Sequence, residues 1–151
     1  MPDIDLLLAI LHHLAVFTLV GILAAEFALL RPGLAGPRLN QLARIDGAYG
    51  GVAGLVIVAG FLRVFFGASG AEYYLSNWVF WGKIGAFLGA GLLSIRPTMA
   101  ILGWSRQAKA DPDYAPPATE IATLRPILYA QIGLLALIPI FAAAMARGYG
   151  L

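Results

Sequence analysis

Four long apolar runs alternate along the chain with short connections rich in proline, glycine and polar residues. The first extends from about Ile4 to Leu30, and its only ionisable side chains are Asp5, His12, His13 and Glu26. The others cover about Ile45 to Phe66, Trp78 to Ile95 and Pro126 to Ala146. About 20 apolar residues, rising about 1.5 Å each, suffice to cross the hydrocarbon of a bilayer. Each run therefore predicts a membrane-spanning helix. The segments RPGLAGPRLNQ, GASGAEYYLSN and DPDYAPPATE break the pattern and predict connections. Pro97 is expected to end or kink the third helix, with MAILGWSRQAKA able to continue to about residue 109 as an interfacial helix. Pro139 lies inside the fourth run, where neighbouring helices can satisfy the freed carbonyl. Four spans with short connections predict an all-α fold, a polytopic antiparallel four-helix bundle forming one membrane domain over residues 1–151.

Composition sharpens this picture. Of the 151 residues 60% are hydrophobic and 12% charged, against about 45–50% and about 25% in soluble domains. Mean hydropathy is +0.82. The opening MPDID carries two aspartates and no Lys or Arg, the reverse of a secretory leader, so the first run is expected to be a retained span. The pI of about 9.2 rests on a net charge of only +2 and implies no nucleic-acid partner. Arg31, Arg38 and Arg44 fall in the first connection, and Arg96, Arg106, Lys109 and Arg125 in the third. The positive-inside rule then places both connections in the cytoplasm and both termini on the periplasmic side of a bacterial inner membrane. Tyr73, Tyr74, Trp78 and Trp81 suit an aromatic belt at the outer surface, and Trp104 one at the inner surface.

Glycine recurs at four-residue spacing in Gly47/Gly51, Gly50/Gly54 and Gly85/Gly89. Small residues so spaced let helix backbones approach closely, either within the bundle or across a homodimer interface. The absence of cysteine excludes disulfides, thiolate metal sites and covalent haem attachment.

Ionisable groups in hydrocarbon are costly, about 2.5–3.5 kcal/mol at the bilayer centre on insertion scales, so they pair or serve a function. Counting along the helices sorts them into two tiers. The outer tier holds His12, His13, Arg63 and Lys83, and the inner one Glu26, Arg44, Asp46, Arg96, Arg125 and Gln131. Glu26, Arg44, Asp46, Arg96 and Arg125 are expected to form ion pairs near the cytoplasmic surface. In the outer tier, imidazole is a common ligand of haem iron and other metals, which makes His12 and His13 the candidate metal-binding residues. Adjacent helical residues point about 100° apart, so the two cannot both ligate one iron. Lys83 lies within WVFWGKIGAFLG, flanked by Trp78 and Trp81. Either it snorkels outward, or it meets an anionic partner such as a propionate, or it acts as an amine ligand. Arg63 has the same capacity to meet an anion.

The segments HHLAVFTLVGILAAEFALLRP, ARIDGAYGGVAGLVIVAGFLRVFFG and NWVFWGKIGAFLGAGLLSIRPTM resemble a bacterial four-helix integral membrane protein family of unknown function, over nearly the whole chain. More distantly, a histidine in the first span and an aromatic-flanked lysine early in the third resemble the HemJ-type protoporphyrinogen IX oxidases. That resemblance implies haem b, with His12 or His13 as iron ligand and Lys83 as the second essential, catalytic group. The expectation is a membrane haem protein with Arg63 and Lys83 facing the propionates, an oxidoreductase acting on a porphyrin or quinone-like substrate. The alternative is a non-catalytic subunit or assembly factor of a larger membrane complex.

Overall fold

The computed structural model describes residues 4–151, and they form helices joined by short turns, with no strand among the described residues. Helix α1 spans Ile4–Leu29, α2 Gly36–Phe66, α3 Ala71–Leu75, α4 Trp78–Ala110 and α5 Ala118–Ala146. All except the short α3 are long and apolar enough to cross a membrane. Their outward faces are greasy, with Phe17, Phe65, Trp78 and Leu92 among the exposed large side chains. Two antiparallel hairpins, α1–α2 and α4–α5, carry most of the packing, and α2 against α4 joins them.

Three helices are longer than their apolar runs suggest. Helix α2 begins at Gly36 rather than near Ile45, because Pro37 falls in the first turn, where a missing N–H costs nothing. Helix α5 begins at Ala118 rather than Pro126 and carries both Pro126 and Pro139 internally. Helix α4 runs unbroken through Pro97 to Ala110, so the expected interfacial segment is the continuation of the span itself. Residues 36–45, 99–110 and 118–125 consequently extend beyond the apolar runs, and their Leu39, Leu42, Ile101, Trp104, Ile121 and Leu124 continue the core of the bundle. Trp104 is not a belt residue. It is 2% exposed, and its Nε1 donates to Glu120 Oε2 at 2.8 Å.

The opposite end is closed by Asn77, the N-cap of α4. Its Oδ1 accepts from Val79 N at 2.9 Å, its Nδ2 donates to the Tyr149 carbonyl at 3.1 Å, and the side chain is wholly buried. Tyr73 adds a hydroxyl donation to the Met145 carbonyl at 3.0 Å. Met145 itself packs with Val64, Val79 and Phe80.

The α1–α2 seam has a fixed register. The Asp5 carboxylate lies against Gly67, the His12 ring against Gly60, and Glu26 faces Asp46. Positions 5, 12, 19 and 26 of one helix thus oppose 67, 60, 53 and 46 of the other, a seven-residue repeat on both sides, with Leu19 and Ala53 completing it in the core. Such a repeat keeps one face of each helix on its partner through a left-handed crossing.

The spaced glycines divide between two roles. Gly89 seats Leu134, and a Cβ there would sit 3.1 Å from its methyl group. Gly47, Gly50, Gly51, Gly54 and Gly85 have no atom within 4 Å of an added Cβ, so they make no close helix contact inside the chain.

Replacing Asn77 should separate its two bonds. Asn77→Asp retains the capping acceptor and loses only the tie to Tyr149, whereas Asn77→Ala loses both. The alanine variant is expected to be destabilised by about 1–2 kcal/mol and the aspartate variant by less, read from unfolding in detergent micelles.

Candidate functional site

Seen from α1, the two histidines have different surroundings. His12 is partly buried and rests on Gly60 of α2, where an added Cβ would lie 3.2 Å from its Cε1. A side chain at this position would press on the ring. Nδ1 of His12 is buried without a hydrogen-bond partner. His13 is exposed, and its Nδ1 lies 2.6 Å from the Ala9 carbonyl of its own helix. The two rings stand at 82° with centroids 6.1 Å apart. The helix thus directs one imidazole to the bundle and the other away from it.

Arg63 and Lys83 join His12 from two further helices. Both act electrostatically on His12, and Arg63 acts on Lys83. Arg63 lies three residues from the end of α2 and Lys83 five from the start of α4, about 5 Å and about 8 Å along their helices. Nε of Arg63 is buried with no partner. Lys83 is partly buried, its Nζ 5.4 Å from the centre of the Phe80 ring. The outer tier therefore gathers one imidazole, one guanidinium and one ammonium from three helices. It attracts anions and offers an imidazole among them.

The inner tier is assembled differently from the expected ion pairs. Arg125 donates to the Leu30 carbonyl at 2.7 Å and stacks on Phe27 at 4.3 Å, which caps the end of α1 instead of pairing with a carboxylate. Arg44 and Arg96 are exposed. Glu26 and Asp46 are only 4% and 5% exposed, and each has one oxygen buried without a partner. Asp46 Oδ1 accepts from Thr98 Oγ1 at 2.8 Å, and the Tyr49 hydroxyl lies within the field of both carboxylates. Sorting by depth alone brought these residues to one level but could not show which faces they occupy. The sevenfold spacing of Glu26 from His12 was the available signal, since it puts both on the seam with α2.

These features define a polytopic all-α membrane protein with one cationic and one acidic cluster at different depths. The chain belongs to the family described as predicted membrane protein (DUF2214), whose model matches residues 4–150. No curated protein and no solved structure matches the chain.

The contrast between the histidines is directly measurable. His13→Ala should change unfolding free energy in micelles by no more than about 0.5 kcal/mol, as for an exposed site. Gly60→Val, which drives a side chain into the His12 ring, should cost about 1–3 kcal/mol.

Proposed function

We propose that the protein is a membrane haem-b protein and an oxidoreductase of HemJ-like architecture. The observation that carries this reading is the meeting of His12, Arg63 and Lys83 at one depth. The cluster suits the group chemically. His12 provides a neutral nitrogen donor for iron, and two cations supply counter-charge for a pair of propionates. Two further details fit it: the unpartnered His12 Nδ1 and Arg63 Nε, and the glycine that leaves the imidazole room. Haem b bound there would supply a one-electron redox centre.

The chain's own residues have distinct tasks. His12 would hold the iron, with its ring resting against Gly60 of α2. Arg63 anchors a carboxylate with a planar fork of donors, and Lys83 adds a point charge from α4. Lys83 is also the catalytic candidate, as the ammonium nearest the imidazole able to meet an anionic substrate. His13, turned away, is not required. A lipid-soluble porphyrin or quinone-like substrate would approach from the bilayer, which the exposed apolar faces allow. The inner membrane of a bacterium, with both termini periplasmic and the projecting ends of α2, α4 and α5 cytoplasmic, agrees with seven of the ten Lys and Arg residues lying at that end.

One observation favours the alternative, a non-catalytic subunit. Gly47, Gly50, Gly51 and Gly54 form an exposed strip on α2 with no neighbour, suited to a second copy or another membrane protein. Native sizing after gentle extraction distinguishes the two: a larger hetero-complex supports the subunit reading, and a 16.0 kDa chain alone or as a homodimer counts against it.

The haem reading is tested by a reduced-minus-oxidised absorption spectrum of protein expressed with added haemin. A b-type signal near one haem per chain is expected, lost in His12→Ala, kept in His13→Ala and weakened at least tenfold in haem affinity by Lys83→Met or Arg63→Met. No signal in the unaltered protein, or one indifferent to His12→Ala, contradicts it.

A further inference from the structure

About 21 Å along α1 from His12, the buried carboxylates of Glu26 and Asp46 form a second polar centre that the haem reading does not use. Twenty residues, about 30 Å, separate Asp46 from the outer end of α2 and Thr98 from the start of α4, so the pair sits at the inner edge of the hydrocarbon. Every helix packed around it contributes. Helix α2 brings Asp46 and Tyr49, α4 brings Ser94 and Thr98, and α5 brings Gln131 and Arg125. Gln131 is 1% exposed, and neither its amide nitrogen nor its amide oxygen has a partner. It follows by two residues Tyr129, which contacts Phe27 of α1 at 4.9 Å between ring centres. Gln131 thus lies at the depth of Glu26 and, in line with Leu124, Leu128 and Leu135, on the interior face of α5.

The donor–acceptor balance of this centre is lopsided. Glu26 Oε1, Asp46 Oδ2 and Gln131 Oε1 are buried acceptors without donors, against one buried unpartnered donor, Gln131 Nε2, and the Tyr49 hydroxyl beside the carboxylates. Thr98 already spends its hydroxyl on Asp46 Oδ1, and the hydroxyl of Ser94 goes to the Gly91 carbonyl. Arg125, the nearest interior cation, is committed to backbone carbonyls one turn away. Two adjacent carboxylates with no cation and too few donors are expensive to bury. The centre is short of an electropositive guest. Among the described residues no three His, Cys, Asp or Glu side chains gather, so the ligand set is meagre for a metal ion. A proton supplies the deficit more economically: on one carboxyl it converts an acceptor into a donor aimed at the other carboxylate or at Gln131.

Asp46, unlike Glu26, also lines a cleft at the bundle surface. This cleft, of about 340 Å³ between α2 and α4, is lined by Asp46, Tyr49, Ser94 and Thr98 together with the apolar Ile95, Met99 and Leu102, and Gly47 and Gly50 keep one wall low. We propose that Glu26 and Asp46 form a proton-binding carboxyl pair, loaded and unloaded through this cleft. Uptake transfers H⁺ from hydronium in the cleft to a carboxylate oxygen, forming an O–H bond and leaving water, and release is the reverse. Thr98 positions Asp46 through its hydroxyl, Gln131 lies at the same depth, and the proton resides on the carboxyl oxygens.

Infrared spectroscopy of the full chain in detergent at neutral pH tests this. The unaltered protein is expected to show the carbonyl stretch of a protonated, buried carboxyl, shifted down in D₂O. Glu26→Gln and Asp46→Asn, which imitate a protonated acid, should each remove or displace that band while leaving the helical spectrum intact. Gly50→Leu, which fills the cleft at a position with open space, should slow the deuterium shift at least threefold without abolishing the band. The proposal is overturned if the band is absent, or if it survives unchanged in both carboxyl variants. It is equally overturned if Na⁺ or Ca²⁺ binds stoichiometrically to the unaltered protein and not to Asp46→Asn, since the pair then holds a metal ion.

Discussion

The rest of the molecule depends on the packing of α1 on α2 in one heptad register. Asp5, His12, Leu19 and Glu26 recur at seven-residue intervals on α1, against Gly67, Gly60, Ala53 and Asp46 on α2. In lipid no hydrophobic drive brings helices together, so such a seam forms where shapes and polar groups match. Here a glycine receives the imidazole, and the repeat sets Ala53 at the level of Leu19. A slip of one helical turn would move His12 off Gly60 and Glu26 away from Asp46 together. The two polar centres are thus consequences of a single geometric choice, and α4 adds Lys83 to one and Thr98 to the other.

The two centres have opposite deficits. The outer one collects cations around an imidazole and suits an anion. The inner one collects carboxylates with too few donors and suits a proton. Between them α1 offers Leu19 and Leu23, both 2% exposed, with little polar relief, so the core lies between the centres. About 21 Å along α1 separates them, and because buried charges are little screened a charge at one centre still acts on the other.

How much of this was legible in the sequence follows from what hydrophobicity encodes. Apolar length fixed the four spans, and depth counting placed His12, Arg63 and Lys83 in one layer, since both need only the rise per residue. Azimuth was harder to read. Which of His12 and His13 faces the bundle depends on where α2 presents Gly60, and Glu26 with Asp46 were expected to meet arginines because all lie near one end. Helix termini were misjudged for a related reason. Leu39, Leu42, Ile121 and Leu124 are sparse apolar positions in polar surroundings, and they become part of the core only in the folded bundle. Trp104 reads as a belt residue until Glu120 is seen to accept its N–H.

The register itself is the most direct point of attack, and the lack of native cysteine makes it accessible. Cysteines would be introduced in pairs at Leu19 and Ala53, and separately at the one-turn slips Ala15 with Ala53 and Leu23 with Ala53, in membranes under mild oxidation. Rapid disulfide formation in the 19–53 pair, with the two slipped pairs slower by an order of magnitude, is the expected result. Preferential cross-linking of either slipped pair would contradict the seam, and with it the placement of both polar centres.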